Sequence, residues 1–196
     1  MKKLLLLGIT LLMGYTACSM SSDVITKVGQ EEGRVIVVPK NTDVKQTIYT
    51  DGLRCCVATI VYLQDIRGNE SVIMTHYSPS EVEGNISQLM KLICQAKFEL
   101  SAIKSSYAVI VQPGDFQKHW FSREETLAPS VSSQWISSLK ETIASHLSNP
   151  PCYMHTYHAS SYHGTSVEFS IDPTLKPSCY YHVKNSCYFP EQELRA

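Results

Sequence analysis

A thiol, an imidazole and a hydroxyl stand at short spacings in the first half of the chain. Cys56 follows Thr50 by six positions within IYTDGLRCCVATIVYL, and His76 comes later, in VIMTHYSPSE. A cysteine becomes a nucleophile when a neighbouring base takes its proton, and a histidine base needs a partner that fixes its ring. Together these residues can attack a carbonyl carbon, with Cys56 as the nucleophile, His76 as the base and Thr50 as the group that orients His76.

Two strand-like segments would position the thiol and the imidazole. The residues after Cys56, VATIVYL, are almost continuously apolar and rich in β-branched side chains, which indicates a central strand. His76 lies at the end of the next such segment, ESVIMTHY, after the turn DIRGN. If the two strands pair antiparallel, the start of one lies beside the end of the other. The alternatives are an inert or disulfide-bonded Cys56 and a His76 that only bonds backbone.

The remaining elements predict an α/β (α+β) sandwich, in which a mixed β-sheet is layered against two main helices. The first helix is SPSEVEGNISQLMKLICQAKF, where Ser78 can cap the start and Cys94 falls at an apolar position, so we expect Cys94 to be buried. The second helix is VSSQWISSLKETIASHL, which ends before Asn-Pro-Pro. Near the N-terminus, VITKV and RVIVVP are separated by GQEEG, which predicts a hairpin.

The N-terminal residues are predicted to be an export signal. Two lysines precede an apolar run that is short for a membrane span, and small residues then lead to Cys18. We predict that residues 1–18 are a lipoprotein-type signal peptide ending at a lipidated Cys18, that 19–23 form a tether, and that 24–196 form a single domain. The protein is then expected to be exported and held by acyl chains at a membrane surface of the cell envelope, or secreted. Ordinary signal cleavage near Ala17 is the alternative.

Charge and histidine spacing limit the partners. Lys and Arg total 17 against 18 Asp and Glu, for a formal net charge of -1, so no nucleic-acid partner is expected. His155 and His158 lie three positions apart in a strand-like segment and would face opposite sides of a sheet, so no metal site is expected there.

Export implies an oxidising compartment, in which the cysteines after Cys18 can pair. Cys179 and Cys187 flank YYHVKNS and could close a hairpin, with Cys152 as a competitor. If the segment around Cys56 is extended, Cys55 points to the opposite face of the strand and serves in packing.

The residues around Cys56 resemble the nucleophile motif of the bacterial chemoreceptor glutamine deamidases, the CheD family. In TDGLRCCVA, Thr50 has the family's spacing of six positions to Cys56, and Leu53, Val57 and Ala58 match around the thiol. The family's histidine ends the next strand, before a helix, as His76 does. The resemblance runs from about residue 50 to about residue 171, and outside the motif it lies mainly in the order of elements. Cytotoxic necrotizing factors and related glutamine-deamidating toxins share the Thr, Cys and His arrangement.

The resemblance implies a CheD-like fold and a catalytic set of Cys56, His76 and Thr50. It implies that glutamine side chains of a protein substrate are converted to glutamate with release of ammonia, without a metal or an organic cofactor. Family members of the chemotaxis type are cytoplasmic, so an exported relative is expected to act on a different protein. Two alternatives stay open: a thiol protease or transglutaminase-like acyl transferase on the same Cys-His site, and a non-catalytic envelope lipoprotein with structural cysteines.

Overall fold

The described part of the chain forms two mixed β-sheets and two main helices, which confirms the predicted α/β (α+β) sandwich. The computed structural model describes residues 23–113, 129–157, 164–175, 179–185 and 192–194. The predicted signal segment with Cys18, and also Cys187 and His158, lie outside these residues. Among the helices described, none is both long and apolar enough to cross a lipid bilayer.

The strands divide between two sheets. In chain order they are β1 (Val24–Val28), β2 (Glu32–Val38), β3 (Gln46–Leu53), β4 (Val57–Asp65), β5 (Glu70–Tyr77), β6 (Ile103–Pro113), β7 (Cys152–Tyr157), β8 (Thr165–Ile171), β9 (Cys179–Asn185) and β10 (Gln192–Leu194). The first sheet has the order β1-β3-β8-β9-β10 and the second the order β2-β5-β4-β6-β7. Each sheet contains one parallel pair, β1 with β3 and β6 with β7, among antiparallel ones.

The predicted hairpin of β1 and β2 is wrong. Strand β1 pairs with β3 in the first sheet, whereas β2 pairs with β5 in the second. The turn between them therefore carries the chain from one sheet to the other, and Glu31 in this turn has a positive φ of 58°. Both strands have apolar residues that face the same interior from opposite sides. The local pattern of a sandwich corner therefore resembles that of a hairpin.

Two apolar layers hold the elements together. The inner layer lies between the sheets and includes Ile48, Ile60, Met74, Val109 and Phe169. The outer layer lies between the second sheet and two helices, α1 (Val82–Glu99) and α2 (Pro129–Leu147), and includes Leu89, Ile93, Trp135, Leu139 and Ile143. Strand β4 contributes to both layers by alternation of its side chains, which explains its almost continuous apolar sequence.

Helix α1 differs from the sequence-based expectation at its start and in its buried face. A 3₁₀ turn, Pro79–Glu81, precedes it, and the Ser78 side chain makes no capping hydrogen bond, because its hydroxyl lies 2.8 Å from that of Ser80. The buried residues of the helix are Asn85, Leu89, Leu92, Ile93 and Ala96. Cys94 is exposed, so its predicted burial is wrong. The face of α1 that packs on the sheet includes Asn85 but not Met90. Cys94 lies one turn after Met90, on the same exposed side of the helix.

Candidate functional site

A hydrogen bond between the two sheets joins Thr50 to His76. The Thr50 hydroxyl on β3 lies 2.7 Å from Nδ1 of His76 on β5, and both residues are buried. The same hydroxyl oxygen lies 2.8 Å from the backbone carbonyl oxygen of Val28 on β1. The structure thus brings together the hydroxyl and the imidazole that the sequence placed in one site.

These two contacts fix the tautomer of His76. A threonine hydroxyl carries one hydrogen, and a carbonyl oxygen can only accept, so the hydrogen points to Val28. The hydroxyl oxygen then accepts from Nδ1–H of His76, and Nε2 is the ring nitrogen that carries the free lone pair. Nε2 is buried and has no hydrogen-bond partner in the described part of the chain. His76 is therefore held as a base whose available nitrogen faces away from Thr50.

Burial is the main influence on the charge of this imidazole. Desolvation lowers the pKa of His76 below its ordinary value of 6.5, while the carboxylates of Glu31 and Asp51 act in the opposite direction. Glu31 also accepts a hydrogen bond from the backbone N–H of Ser78, with 3.1 Å between the two atoms. The turn that joins the two sheets therefore packs against the end of β5, just beyond the histidine. A neutral imidazole is the form that can accept a proton near pH 7.

The register of the second sheet places Cys56 two positions before the residue that pairs with His76. Ala58 on β4 is directly opposite His76 on β5, and Val57 is opposite Tyr77. Cys56 lies two positions before Ala58, and both contribute to the interior between the sheets. The antiparallel pairing expected from the sequence is confirmed, and it places Cys56 and His76 at the same end of the β4–β5 pair.

Cys55 packs on the same side as Cys56, contrary to expectation. Both thiols contact the interior between the sheets, Cys56 as a buried residue and Cys55 as a half-buried one. Strand β4 begins only at Val57, and the chain bends at positions 54 and 55, so the alternation of an extended strand does not apply. The sequence reasoning missed Cys55 as a site residue because it extended the strand by two positions.

The two adjacent thiols interact directly. The interaction with Cys56 lowers the pKa of Cys55 to about 7. The interaction with Cys55 raises the pKa of Cys56, and burial raises it further. In the resting arrangement the more exposed Cys55 is thus the more acidic thiol. Ionisation of Cys56 requires a base other than its neighbour, and Nε2 of His76 is the candidate.

A buried tyrosine also contacts the nucleophile candidate. The Tyr157 hydroxyl on β7 donates a hydrogen bond to the backbone carbonyl oxygen of Cys56, with 2.9 Å between the two oxygens. Tyr157 is 1% exposed. No local signal in the sequence links Tyr157 to a cysteine 101 positions earlier in the chain.

Two glycines allow the first sheet to bend beside the site. The pairing of β3 with β8 is interrupted between Thr50 and Leu53, and Gly52 there has a positive φ of 76°. The backbone of Gly164 approaches so closely that a Cβ on Gly164 would lie 2.6 Å from Cα of Gly52. Only glycine fits such a contact. The bulge lets β3 deliver Thr50 to the interior and then turn toward Cys56.

The arrangement contains the parts of a cysteine–histidine pair, with a hydroxyl that fixes the ring. The five cysteines of the described residues, at positions 55, 56, 94, 152 and 179, are not bridged. The predicted pairing of Cys179 with Cys187 lies partly outside the described residues. No group of three or more metal-ligating side chains occurs in the parts of the chain that the structure describes.

Comparison with solved structures finds distant structural neighbours. No known protein family matches the sequence, and no curated protein does so. The C-terminal domain of CNFy from Yersinia pseudotuberculosis is similar in structure, with a TM-score of 0.42 and 11% sequence identity. The alignment covers 87% of this chain and 62% of that one, so the chain spans less than two thirds of that domain. A likeness at this TM-score carries no argument about activity.

Proposed function

We propose that this protein is a cysteine-dependent protein-glutamine deamidase, with Cys56 as nucleophile, His76 as general base and acid, and Thr50 as the residue that orients His76. One observation carries the proposal. The hydrogen bond from His76 to Thr50 leaves Nε2 of a neutral imidazole as the free, buried nitrogen, at the end of the strand pair where Cys56 lies in the interior. The resemblance of the residues around Cys56 to the CheD family motif supports an amide of glutamine as the group attacked.

The reaction follows from these roles. Nε2 of His76 takes the thiol proton of Cys56, and the sulfur forms a bond to the carboxamide carbon of the substrate glutamine. The oxyanion is stabilised by backbone N–H groups near Cys56. The imidazolium then returns its proton to the nitrogen, the carbon–nitrogen bond breaks, and ammonia leaves. Water, deprotonated by His76, attacks the thioester, so glutamate leaves and the Cys56 thiol is restored. None of these steps calls on a metal or an organic cofactor.

Cys55 is adjacent to Cys56 and raises its pKa, so the nucleophile must be assigned to one of the two thiols by experiment. The variants Cys55→Ser and Cys56→Ser therefore separate the two thiols. Serine at position 55 keeps a hydrogen-bond acceptor beside Cys56, whereas serine at position 56 removes the nucleophile.

The test uses the mature chain and reduced, unfolded casein as a glutamine-bearing probe. Wild type is expected to release ammonia and to produce Gln-to-Glu conversions in the casein peptides, detected by mass spectrometry. Cys56→Ser and His76→Ala should each lower the rate by about 10²–10⁴-fold, as expected when the nucleophile or the acid–base group is lost. Cys94→Ser is the matched control, because it removes an exposed thiol on α1, and it should keep the wild-type rate.

The other outcomes identify other functions. Cleaved casein without ammonia would assign a thiol protease, and incorporation of an added primary amine into glutamine would assign a transglutaminase-like acyl transferase. Loss of activity in Cys55→Ser but not in Cys56→Ser would move the nucleophile to Cys55. No wild-type conversion of casein, or of proteins from candidate target cells, would favour a non-catalytic envelope lipoprotein.

Export and lipid anchoring are proposed with the activity. The polar tether after Cys18 would hold the domain at a membrane surface, where it meets a protein substrate. Metabolic labelling with a radioactive fatty acid should mark the wild type and leave Cys18→Ala unlabelled. Equal labelling of the two proteins would contradict the anchor.

A further inference from the structure

The Tyr157 phenol makes a specific hydrogen bond at the site in addition to its packing in the interior. It is buried between the sheets, and its hydroxyl donates to the carbonyl oxygen of Cys56 over 2.9 Å. Both thiols act electrostatically on the phenol, and the pKa of Tyr157 is raised first by burial and then by Cys56 and Cys55. Tyr157 on β7, an edge strand of the second sheet, thus contacts Cys56, the candidate nucleophile.

The strand between them explains why a side chain must supply this hydrogen. The ladder between β4 and β6 ends at the pair of Ala58 and Val111, so Cys56 and Pro113 each lie two positions beyond its last pair. Pro113 in turn pairs with Tyr157 on β7. Proline has no N–H group, so it cannot donate a ladder hydrogen bond to a neighbouring strand. The phenol of the next strand reaches past Pro113 and satisfies the Cys56 carbonyl instead.

Holding this carbonyl fixes the orientation of the nucleophile candidate. The peptide group after Cys56 is planar, so a fixed oxygen sets the rotation of that plane about the Cα–C bond. Cys56 lies outside the regular part of β4, where no continuous ladder would otherwise set it. A buried carbonyl without a donor is costly, so the contact persists while the core is intact.

We infer that Tyr157 is a positioning residue, which directs the Cys56 thiol toward Nε2 of His76 by holding the Cys56 carbonyl. This inference rests on the proposed roles of Cys56 and His76. Tyr157 itself does not touch the substrate in this account. Its removal should change how well Cys56 is activated without changing how well a protein substrate binds.

The test compares Tyr157→Phe with Tyr107→Phe in the mature chain. Tyr107 is a matched control, because its hydroxyl also points into the interior between the sheets but donates to Sγ of Cys179, at 3.7 Å. The first readout is the rate at which iodoacetamide alkylates Cys56, followed by peptide mass mapping between pH 5 and pH 10. The second readout is kcat and KM for ammonia release from casein.

Tyr157→Phe should lower both the Cys56 alkylation rate at pH 7 and kcat by about fivefold, the effect of one lost hydrogen bond, with KM unchanged. Its alkylation profile should shift toward that of His76→Ala, which lacks the base. Tyr107→Phe should keep the wild-type profile. An unchanged or faster alkylation of Cys56 in a folded Tyr157→Phe would overturn the inference, as would an equal effect in the control.

Two further measurements keep the outcome decisive. If Tyr157→Phe does not fold, 3,5-difluorotyrosine at position 157 retains the ring and makes the hydroxyl a stronger donor. The alkylation profile of Cys56 should then shift and that of Cys94 should not, and an unshifted Cys56 profile would overturn the inference. If the wild type releases no ammonia, the deamidase proposal fails separately, because the alkylation comparison between the tyrosine variants needs no substrate.

Discussion

Replacement of Thr50 by valine is the most direct perturbation of the site. Valine keeps the β-branched shape of threonine, so β3 and the packing between the sheets should be retained. The change removes the oxygen that bonds the Val28 carbonyl at 2.8 Å and Nδ1 of His76 at 2.7 Å. Two buried polar groups then lose their partner at once.

The structure sets the size of the effect. A buried polar group left without its partner costs about 1–3 kcal/mol, so two such groups give about 2–6 kcal/mol. The added methyl group returns about 0.8 kcal/mol of apolar burial. The imidazole of His76 can move its proton to Nε2, so that Nδ1 is no longer a donor without an acceptor. The total destabilisation should therefore lie in the lower half of that range. We therefore expect Thr50→Val to lower the unfolding free energy by about 2–4 kcal/mol. The same proton shift removes the base that faces Cys56.

Urea unfolding followed by circular dichroism measures this loss, and Thr59→Val is the matched control. Thr59 is fully buried in β4, but its hydroxyl has no hydrogen-bond partner among the described residues. Valine there removes an unsatisfied polar group, so stability should stay equal or rise. If the two variants differ by less than about 0.5 kcal/mol, the ordinary scatter of mild substitutions, the Thr50 hydrogen bonds do not hold the sheets as described.

Three further predictions concern protonation and backbone fit. Burial lowers the pKa of His76 below 6.5, so the unfolded chain takes up the proton first, and stability falls as the pH drops below about 6.5 until the folded-state pKa is passed. An NMR titration of the ring protons with a midpoint above 6.5 would contradict this. Alkylation of Cys55 should be half-maximal near pH 7, because the interaction with Cys56 lowers its pKa to about 7, and a midpoint at the ordinary thiol value of about 8.5 would contradict that interaction. Gly164→Ala places a Cβ 2.6 Å from Cα of Gly52 and should lower the melting temperature, whereas Gly84→Ala in α1 should leave it equal or higher. Equal melting temperatures would show that the backbone can move apart.

Local patterns were enough to predict the antiparallel pair that carries the site. The short turn between β4 and β5 makes the two strands pair antiparallel along their length, so the start of β4, next to Cys56, lies beside the end of β5 with His76. The fold class also followed from the order of strands and helices. Thr50 could be placed only through its spacing to Cys56 and a family resemblance, because its contact with His76 joins different sheets.

Features that depend on distant parts of the chain could not be read in this way. The turn at Glu31 connects two sheets because β1 pairs with β3 and β2 pairs with β5. The residues of that segment alone do not indicate these partners. Cys94 lies on the exposed side of α1 because the packed face is set by β2 and β5, against which the helix lies. Tyr157 lies 101 positions after Cys56 in the chain. The residues around Tyr157 therefore do not indicate that its hydroxyl bonds the Cys56 carbonyl.

The contact between Thr50 and His76 joins the two sheets where the chain crosses from one to the other, between β1 and β2 and between β3 and β4. A small sliding of one sheet over the other would separate the hydroxyl from the ring before the strands themselves came apart. The proposed deamidase activity should therefore be lost at denaturant concentrations, or in core variants, that still leave the circular dichroism spectrum native. The alignment of the two sheets, rather than the stability of each sheet alone, would then determine the conditions under which the protein is active.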